Sequence, residues 1–324
     1  MIETATVEAE METGVSCNNN MASAGSDSLL DCIVIGAGPA GLTAATYLER
    51  FHRDIVVLDA GASRARWIPT THNCPGFPFG VGGVQLLEKL RTQACTYGAR
   101  IVEARVDRLE RDGRGFVAHA GERHWRARCV LVATGIVDAM PPIDDLEQAI
   151  DAGVVRLCAI CDGYEASDER IAVYGALDSA LRHALFLRTF SRHVSVVLSQ
   201  PDEASAEDVE RARQARVQLL PVASRLQREG DTCRISFAQH DEVVFDTVYP
   251  VLGEVVQSDL ATALGAGAED GALRVDDTQQ TSVDGLYAIG DVVLALNQIS
   301  VAVGHAAVAA TAIHNRLPAN YRED

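Results

Sequence analysis

The strongest constraint on the fold lies near the N-terminus, where the apolar run Cys32-Ile33-Val34-Ile35 passes directly into Gly36-Ala37-Gly38-Pro39-Ala40-Gly41. A run of this length suits a short strand, and the residues after it, Leu42 to Arg50, read as a helix. Glycines at 36, 38 and 41 have the G-x-G-x-x-G spacing. The first permits a tight turn, the second lets backbone approach a pyrophosphate, and the third lets the helix pack against the strand. The helix N-terminus then faces the phosphates with its partial positive charge. A second strand, Asp54-Ile55-Val56-Val57-Leu58-Asp59, ends in an acid 18 residues after Gly41, where a carboxylate can accept hydrogen bonds from a ribose diol. Strand, glycine turn, helix, strand and terminal acid together read as an α/β dinucleotide-binding unit.

Residues 60–83 are dense in turn formers, with Thr71-His72-Asn73-Cys74-Pro75-Gly76-Phe77-Pro78 at the centre, so a loop is expected there. Gln85 to Tyr97 reads as an amphipathic helix, followed by strands around Ile101–Leu109 and Gly115–Ala120. Cys129-Val130-Leu131-Val132 then runs into Ala133-Thr134-Gly135, a strand end where a ligand can meet backbone. Met140-Pro141-Pro142 suggests a domain crossing.

A second strand, turn and helix begins at Arg170-Ile171-Ala172-Val173-Tyr174 and continues through Gly175-Ala176-Leu177-Asp178-Ser179-Ala180 to about Phe190, with a strand His193–Leu198 after it. Here the middle glycine is replaced by Leu177, whose side chain is expected to occupy the space a pyrophosphate needs. Ser199-Gln200-Pro201-Asp202-Glu203 offers no arginine cluster for a 2′-phosphate. The unit therefore reads as a vestigial nucleotide site, with Asp202 or Glu203 the groups able to take an NADH ribose. Ser205–Arg216 is a solvated helix, residues 217–252 supply more strands, and Leu286-Tyr287-Ala288-Ile289-Gly290-Asp291 is an apolar strand meeting glycine and acid. A final Ala-rich helix, about Val301 to Asn315, follows Asn297-Gln298-Ile299.

Near the middle of the chain stands Cys158-Ala159-Ile160-Cys161-Asp162-Gly163-Tyr164. Two cysteines so spaced can close a disulfide, and a thiolate there can attack another disulfide. Half of a zinc site is the bland alternative, but neither a second C-x-x-C nor an H-x-x-x-H accompanies the pair. Asp162, followed by Gly163, suggests a turn that sets a proton donor beside a sulfur. His305, after Gly304 in the last helix, is a candidate base for a substrate thiol, the alternative being a hydrogen-bonded structural histidine. Cys32, Cys74, Cys95, Cys129 and Cys233 are expected to be unpaired thiols.

A chain of 324 residues exceeds what one core usually serves, so two domains are expected. The net charge of −17 repels nucleic acid and anionic membrane, and no run of about 18 apolar residues offers a membrane span. Residues 1–28 lack Lys and Arg and carry Glu3, Glu8, Glu10, Glu12 and Asp27; they read as a disordered acidic tail rather than a secretory signal. Eight cysteines with one close pair do not make a disulfide framework, and a reducing cytoplasm is the expected location.

Taken together, the Gly36/Gly38/Gly41 triplet with Asp59, the Ala133-Thr134-Gly135 turn, Cys158/Cys161-Asp162-Gly163, and Gly290-Asp291 followed by Gln298 resemble the low-molecular-weight thioredoxin reductase family, over nearly all of residues 30–317. The resemblance implies two Rossmann-like three-layer ββα/αβ domains. An FAD domain would be split over 29–140 and 247–324, with a pyridine-nucleotide-type domain carrying the cysteine pair over 141–246. It implies a homodimer, and a rotation of the inserted domain during turnover. It also implies roles: Gly36, Gly38, Pro39, Ala40, Gly41, Asp59, Ala133, Thr134, Gly135, Gly290 and Asp291 hold FAD, with Gln298 and Ile299 near its ring. Cys161 would exchange electrons with the flavin, Cys158 would attack the partner disulfide, and Asp162 would protonate a leaving thiolate. The chain departs from the family at Leu177 and at Ser199-Gln200-Pro201, where the family carries a glycine and a His-Arg-Arg type cluster for NADPH. Gly163-Tyr164-Glu165 also resembles dithiol oxidases that form disulfides in small natural products without nicotinamide, and other relatives take electrons from ferredoxin. The expected function is therefore flavin-linked thiol–disulfide exchange with a thioredoxin-like protein or small dithiol. Oxygen, ferredoxin, NADPH or NADH would stand at the other end. An ordinary NADPH thioredoxin reductase and a non-catalytic flavin-binding redox sensor are the alternatives.

Overall fold

The computed structural model describes residues 26–113 and 115–322. The first sheet has the order Ile101–Glu103, Ile55–Asp59, Ser26–Ile35, Arg123–Val132, Gly115–Ala120, Arg108–Asp112, with Leu286–Ala288 paired in parallel to the end of Arg123–Val132. The long strand Arg123–Val132 lets the sheet divide. Its first half pairs antiparallel with Gly115–Ala120, and Val130 to Val132 pair instead with Leu286 to Ala288. Alternation along Ser26–Ile35 feeds two layers. Cys32 and Val34 face the core beneath the helices Pro39–Arg50 and Ile299–Arg316, while Ile33 and Ile35 face the core under the meander. Both faces are covered, as an apolar parallel strand requires.

A second sheet has the order Val243–Phe245, Thr232–Phe237, Gln218–Glu229, His193–Leu198, Arg170–Gly175, Thr247–Val251. Ile171, Val173, Val194 and Val196 pack against the helix Leu177–Leu187, and Ala172, Tyr174 and Val197 face the opposite core. The two sheets are joined by a short antiparallel ribbon, Ile136–Asp138 with Glu254–Val256, through which the chain leaves the first sheet and returns to it.

Several boundaries differ from expectation. The first strand begins at Ser26, inside the stretch expected as tail, and pairs there with Trp125; residues 1–25 lie outside the described residues. The strand expected over 101–109 is two, Ile101–Glu103 and Arg108–Asp112, because the chain passes there from the parallel edge to the meander. The second unit's helix stops at Leu187, after which Phe190 stacks edge-on with Phe186. Among the described residues, no helix is long and apolar enough to cross a membrane, and no group of three or more His, Cys, Asp or Glu could hold a metal ion.

Candidate active site

A cavity of about 820 Å³ runs from the first glycine turn to the cysteine pair. At one end the helix Pro39–Arg50 starts behind Gly38, with proline in its first turn, no acid there, and no side-chain cap among the described residues. Gly38, Pro39 and Ala40 line the cavity, so the uncapped helix N-terminus opens on it with no acid in its first turn, the condition an anion needs. Gly36 has φ +106°, and a Cβ on it would stand 2.3 Å from the Ala133 carbonyl oxygen; one on Gly41 would stand 1.9 Å from the Gly36 oxygen. A Cβ on Gly38 would meet only Ser63 Oγ, at 3.4 Å, so this residue lines the cavity as bare backbone. Asp59 Oδ1 accepts from Ala37 N at 3.2 Å, and Thr134 Oγ1 donates to the Gln257 carbonyl at 2.6 Å.

Asp291 lines the same cavity behind Gly290. Burial raises its carboxyl above the ordinary range, and Arg64, 3.7 Å away, opposes that shift. Arg64 also makes a two-pronged contact with Asp138 on the connecting ribbon, at 2.6 and 3.0 Å.

At the other end Cys158 and Cys161 form a disulfide. The one-turn helix Ala159–Asp162 closes the pair, with Cys161 N donating to Cys158 O at 3.0 Å. Gln298 is the N-cap of the last helix, and its Nε2 donates toward both sulfurs at 3.5 Å. Asn73, from the Pro/Gly loop, donates to Gln298 Oε1 at 3.0 Å and to the Ile160 carbonyl at 3.4 Å, while accepting from Thr71 Oγ1 at 2.8 Å. The polar chain Thr71, Asn73, Gln298 thus ends on sulfur with N–H dipoles, which favour a thiolate there over a thiol.

Asp162 follows Cys161 directly. Tyr249 donates to its Oδ1 at 2.9 Å, and Arg156 Nη1 lies 3.7 Å from its Oδ2. Burial pushes the Asp162 carboxyl up to about 6; Arg156 and the Tyr249 hydrogen bond hold it down, and Glu165 pushes it up. A carboxyl in that range can both take and give a proton near neutrality.

The pyridine nucleotide-disulphide oxidoreductase family model matches residues 30–306. The thioredoxin reductase of Mycolicibacterium smegmatis is 31% identical over 280 residues, 83% of this chain and 90% of that one. The thioredoxin reductase structure from Streptococcus pyogenes superposes with a TM-score of 0.82 at 26% identity, over 90% of this chain and 98% of that one. The structure of HlmI also reaches 0.82, at 32% identity, over 90% and 93%. This chain belongs to the low-molecular-weight thioredoxin reductase family.

As a member of the thioredoxin reductase family it is an FAD-dependent disulfide oxidoreductase, and the residues present fit that cofactor. The uncapped helix, the bare backbone at Gly38, and the cavity that continues to the sulfurs form a cradle for an elongated, phosphate-bearing ligand. Gly36, Gly38, Pro39, Ala40, Asp59, Ala133, Thr134, Gly135, Gly290, Asp291, Gln298 and Ile299 all line it, together with Cys158, Cys161 and Asp162. Gly41 sits behind the turn, buried. His305 does not line the cavity. It is half-buried on the last helix, its Nδ1 enclosed without a partner among the described residues, and burial lowers its pKa.

The second glycine turn of this thioredoxin reductase relative is built differently from the expectation. Leu177 does not project into a ligand path; it is 4% exposed and packs with Ala180, Leu181 and Val173. The helix N-terminus is instead answered by acids. Asp202 Oδ2 accepts from Leu177 N at 3.3 Å, and Asp178 stands in the first turn. Asn73, Arg64, Arg156 and Tyr249 carried no sequence motif that marked them. Asn73 stood in a loop recognised only by its turn formers, and Tyr249 in an ordinary apolar strand. Of the cysteines expected to be free, Cys32, Cys74, Cys129 and Cys233 are buried thiols, whereas Cys95 is disulfide-bonded.

Proposed function

We propose that this protein moves two electrons between an external dithiol–disulfide couple and bound FAD through Cys158 and Cys161, without a working NADPH site. The observation that carries this reading is the placement of the disulfide in the same cavity as the intact dinucleotide turn, with Gln298 donating to both sulfurs. In the oxidising direction an external thiolate attacks Cys158 Sγ, the Cys158–Cys161 bond breaks, and Cys161 leaves as a thiolate facing the Gln298 amide. A second external thiol then displaces Cys158, so the external pair becomes a disulfide and the cysteines a dithiol. Asp162 carries the proton that thiol and thiolate exchange. FAD supplies the two-electron carrier that restores the pair. Oxygen is the acceptor in this direction, and ferredoxin the donor in the reverse one.

Loss of NADPH binding is supported by Asp202 at the second turn: its carboxylate takes the Leu177 N–H at the helix N-terminus, where a pyrophosphate would need a free donor and positive potential. The external partner is a thioredoxin-like protein or a small dithiol, in a reducing cytoplasm. We assign FAD binding to residues 29–140 and 247–324 and the cysteine pair to the inserted 141–246. Exposed Leu294, Leu296, Val303 and Val308 on and before the last helix suit a second copy in a homodimer. A second reading, an NADPH thioredoxin reductase, is favoured by the relatives in M. smegmatis and S. pyogenes, both named thioredoxin reductases. Anaerobic mixing of the flavin-loaded protein with dithiothreitol, NADPH and NADH separates the two. Dithiothreitol is expected to bleach the flavin band while both nicotinamides leave it unchanged. Rapid bleaching by NADPH at low concentration would replace the first reading with the second.

A further inference from the structure

The acid beside the disulfide is gripped by two side chains from outside the cysteine segment, and neither touches a sulfur in any contact described above. Tyr249 stands on the strand Thr247–Val251 and is 2% exposed. Its hydroxyl donates to Asp162 Oδ1 at 2.9 Å and lies 3.3 Å from the Asp162 carbonyl oxygen. Arg156, in the turn leading to Cys158, approaches Oδ2 at 3.7 Å, and its Nε is enclosed without a partner among the described residues. One oxygen of the carboxylate is thus held by a neutral donor and the other by a cation. On the far side stand Glu165, itself 3.9 Å from His72, and Glu169, which faces both Arg156 and Tyr249.

The geometry points to Tyr249 and Arg156 as positioning residues that set when Asp162 holds its proton, and therefore the pH range over which the neighbouring cysteine pair exchanges. This rests on the reading of Asp162 as the proton carrier for that pair. The physical reason is an opposition of two effects. Burial of Asp162 among Tyr249, Glu165 and the disulfide segment favours the neutral acid. A hydroxyl that donates to Oδ1 and a guanidinium facing Oδ2 both favour the carboxylate. Tyr249 is suited to the task because burial and the adjacent carboxylate raise its own pKa, so it stays a donor at every working pH. Removing either residue tips the balance back toward burial.

The test titrates Asp162 directly in the flavin-free, disulfide-intact protein, by the infrared band of its protonated carboxyl, identified as the band that Asp162→Asn removes. Tyr249→Phe keeps the ring and deletes the donor, and the titration midpoint is expected to rise by about one unit. Arg156→Gln should raise it too, and Arg156→Lys should restore much of the shift. In the flavin-loaded protein, the acid limb of dithiothreitol-driven bleaching between about pH 5 and pH 8 should move by the same amount. In an Asp162→Asn background, Tyr249→Phe should move nothing further. An unmoved carboxyl midpoint in a Tyr249→Phe protein of native circular dichroism overturns the inference while leaving the role of Asp162 intact. A limb that survives Asp162→Asn overturns that role and this inference with it.

Discussion

Replacing Gly41 with alanine places a methyl group 1.9 Å from the Gly36 carbonyl oxygen and 3.0 Å from its carbon. Ordinary van der Waals contact begins near 3.4 Å, so the helix Pro39–Arg50 and the glycine turn must separate by about 1.5 Å. The obstacle is backbone, which cannot rotate away as a long side chain can. Two effects compete. Alanine in a helix is favoured over glycine by up to ~1 kcal/mol, whereas overpacking of a fixed contact costs about 1–3 kcal/mol; a displacement this large belongs at the upper end, leaving a net loss of about 2 kcal/mol. Because the displaced atoms are the phosphate cradle, the loss should appear in flavin binding, as a roughly 30-fold weaker Kd. The assay is titration of flavin-free protein with FAD, followed by quenching of flavin fluorescence. Gly304→Ala is the control: a Cβ there meets nothing within 4 Å among the described residues, so it should add up to ~1 kcal/mol of thermal stability and leave the Kd alone. An unchanged Kd in Gly41→Ala would refute the placement of FAD on this turn.

The raised Asp162 carboxyl makes a stability prediction of definite sign. Its folded pKa of about 6 lies above the ordinary aspartate value of 3.8, so the favourable contribution is complete below about pH 4 and is lost as pH rises through 6. Asp162→Asn should therefore raise the unfolding free energy at pH 8 by about 3 kcal/mol, read as a higher melting temperature, and the gain should vanish near pH 4. Asn73→Ala frees the Gln298 amide to turn its oxygen toward the sulfurs. The reduced pair should lose about 1 kcal/mol, seen as a reduction potential about 20 mV more negative in equilibration with dithiothreitol. Leu177→Ala, in the core of the second unit, should cost ~2–4 kcal/mol in denaturant unfolding while leaving FAD affinity unchanged.

The first dinucleotide turn was legible because Gly36 and Gly41 each meet a local steric demand that no other residue satisfies, so sequence spacing carries the geometry with it. The C-x-x-C disulfide was legible for the same reason, since its closure depends on four consecutive residues. Leu177 shows where this reasoning stops: its identity signalled an altered turn, but whether a leucine points outward or into the core depends on the helix that packs above it. The acid answering that turn, Asp202, lies 25 residues away and could be assigned only once the strand between them was placed. Asn73 and Tyr249 were invisible for a related reason. Their partners, Gln298 and Asp162, lie 225 and 87 residues distant, and an asparagine in a Pro/Gly loop or a tyrosine in a strand has ordinary local reasons to be there.

The central claim is that electrons reach the flavin through one pair of sulfurs, and the most direct measurement compares the parent protein with the double variant Cys158→Ser, Cys161→Ser, each loaded with FAD and titrated anaerobically with dithiothreitol. The account predicts bleaching of the visible flavin band in the parent and a band left standing in the variant, with equal FAD content in both. Bleaching at the parent's rate in the variant, or a parent protein that is colourless and takes up no FAD, would contradict it.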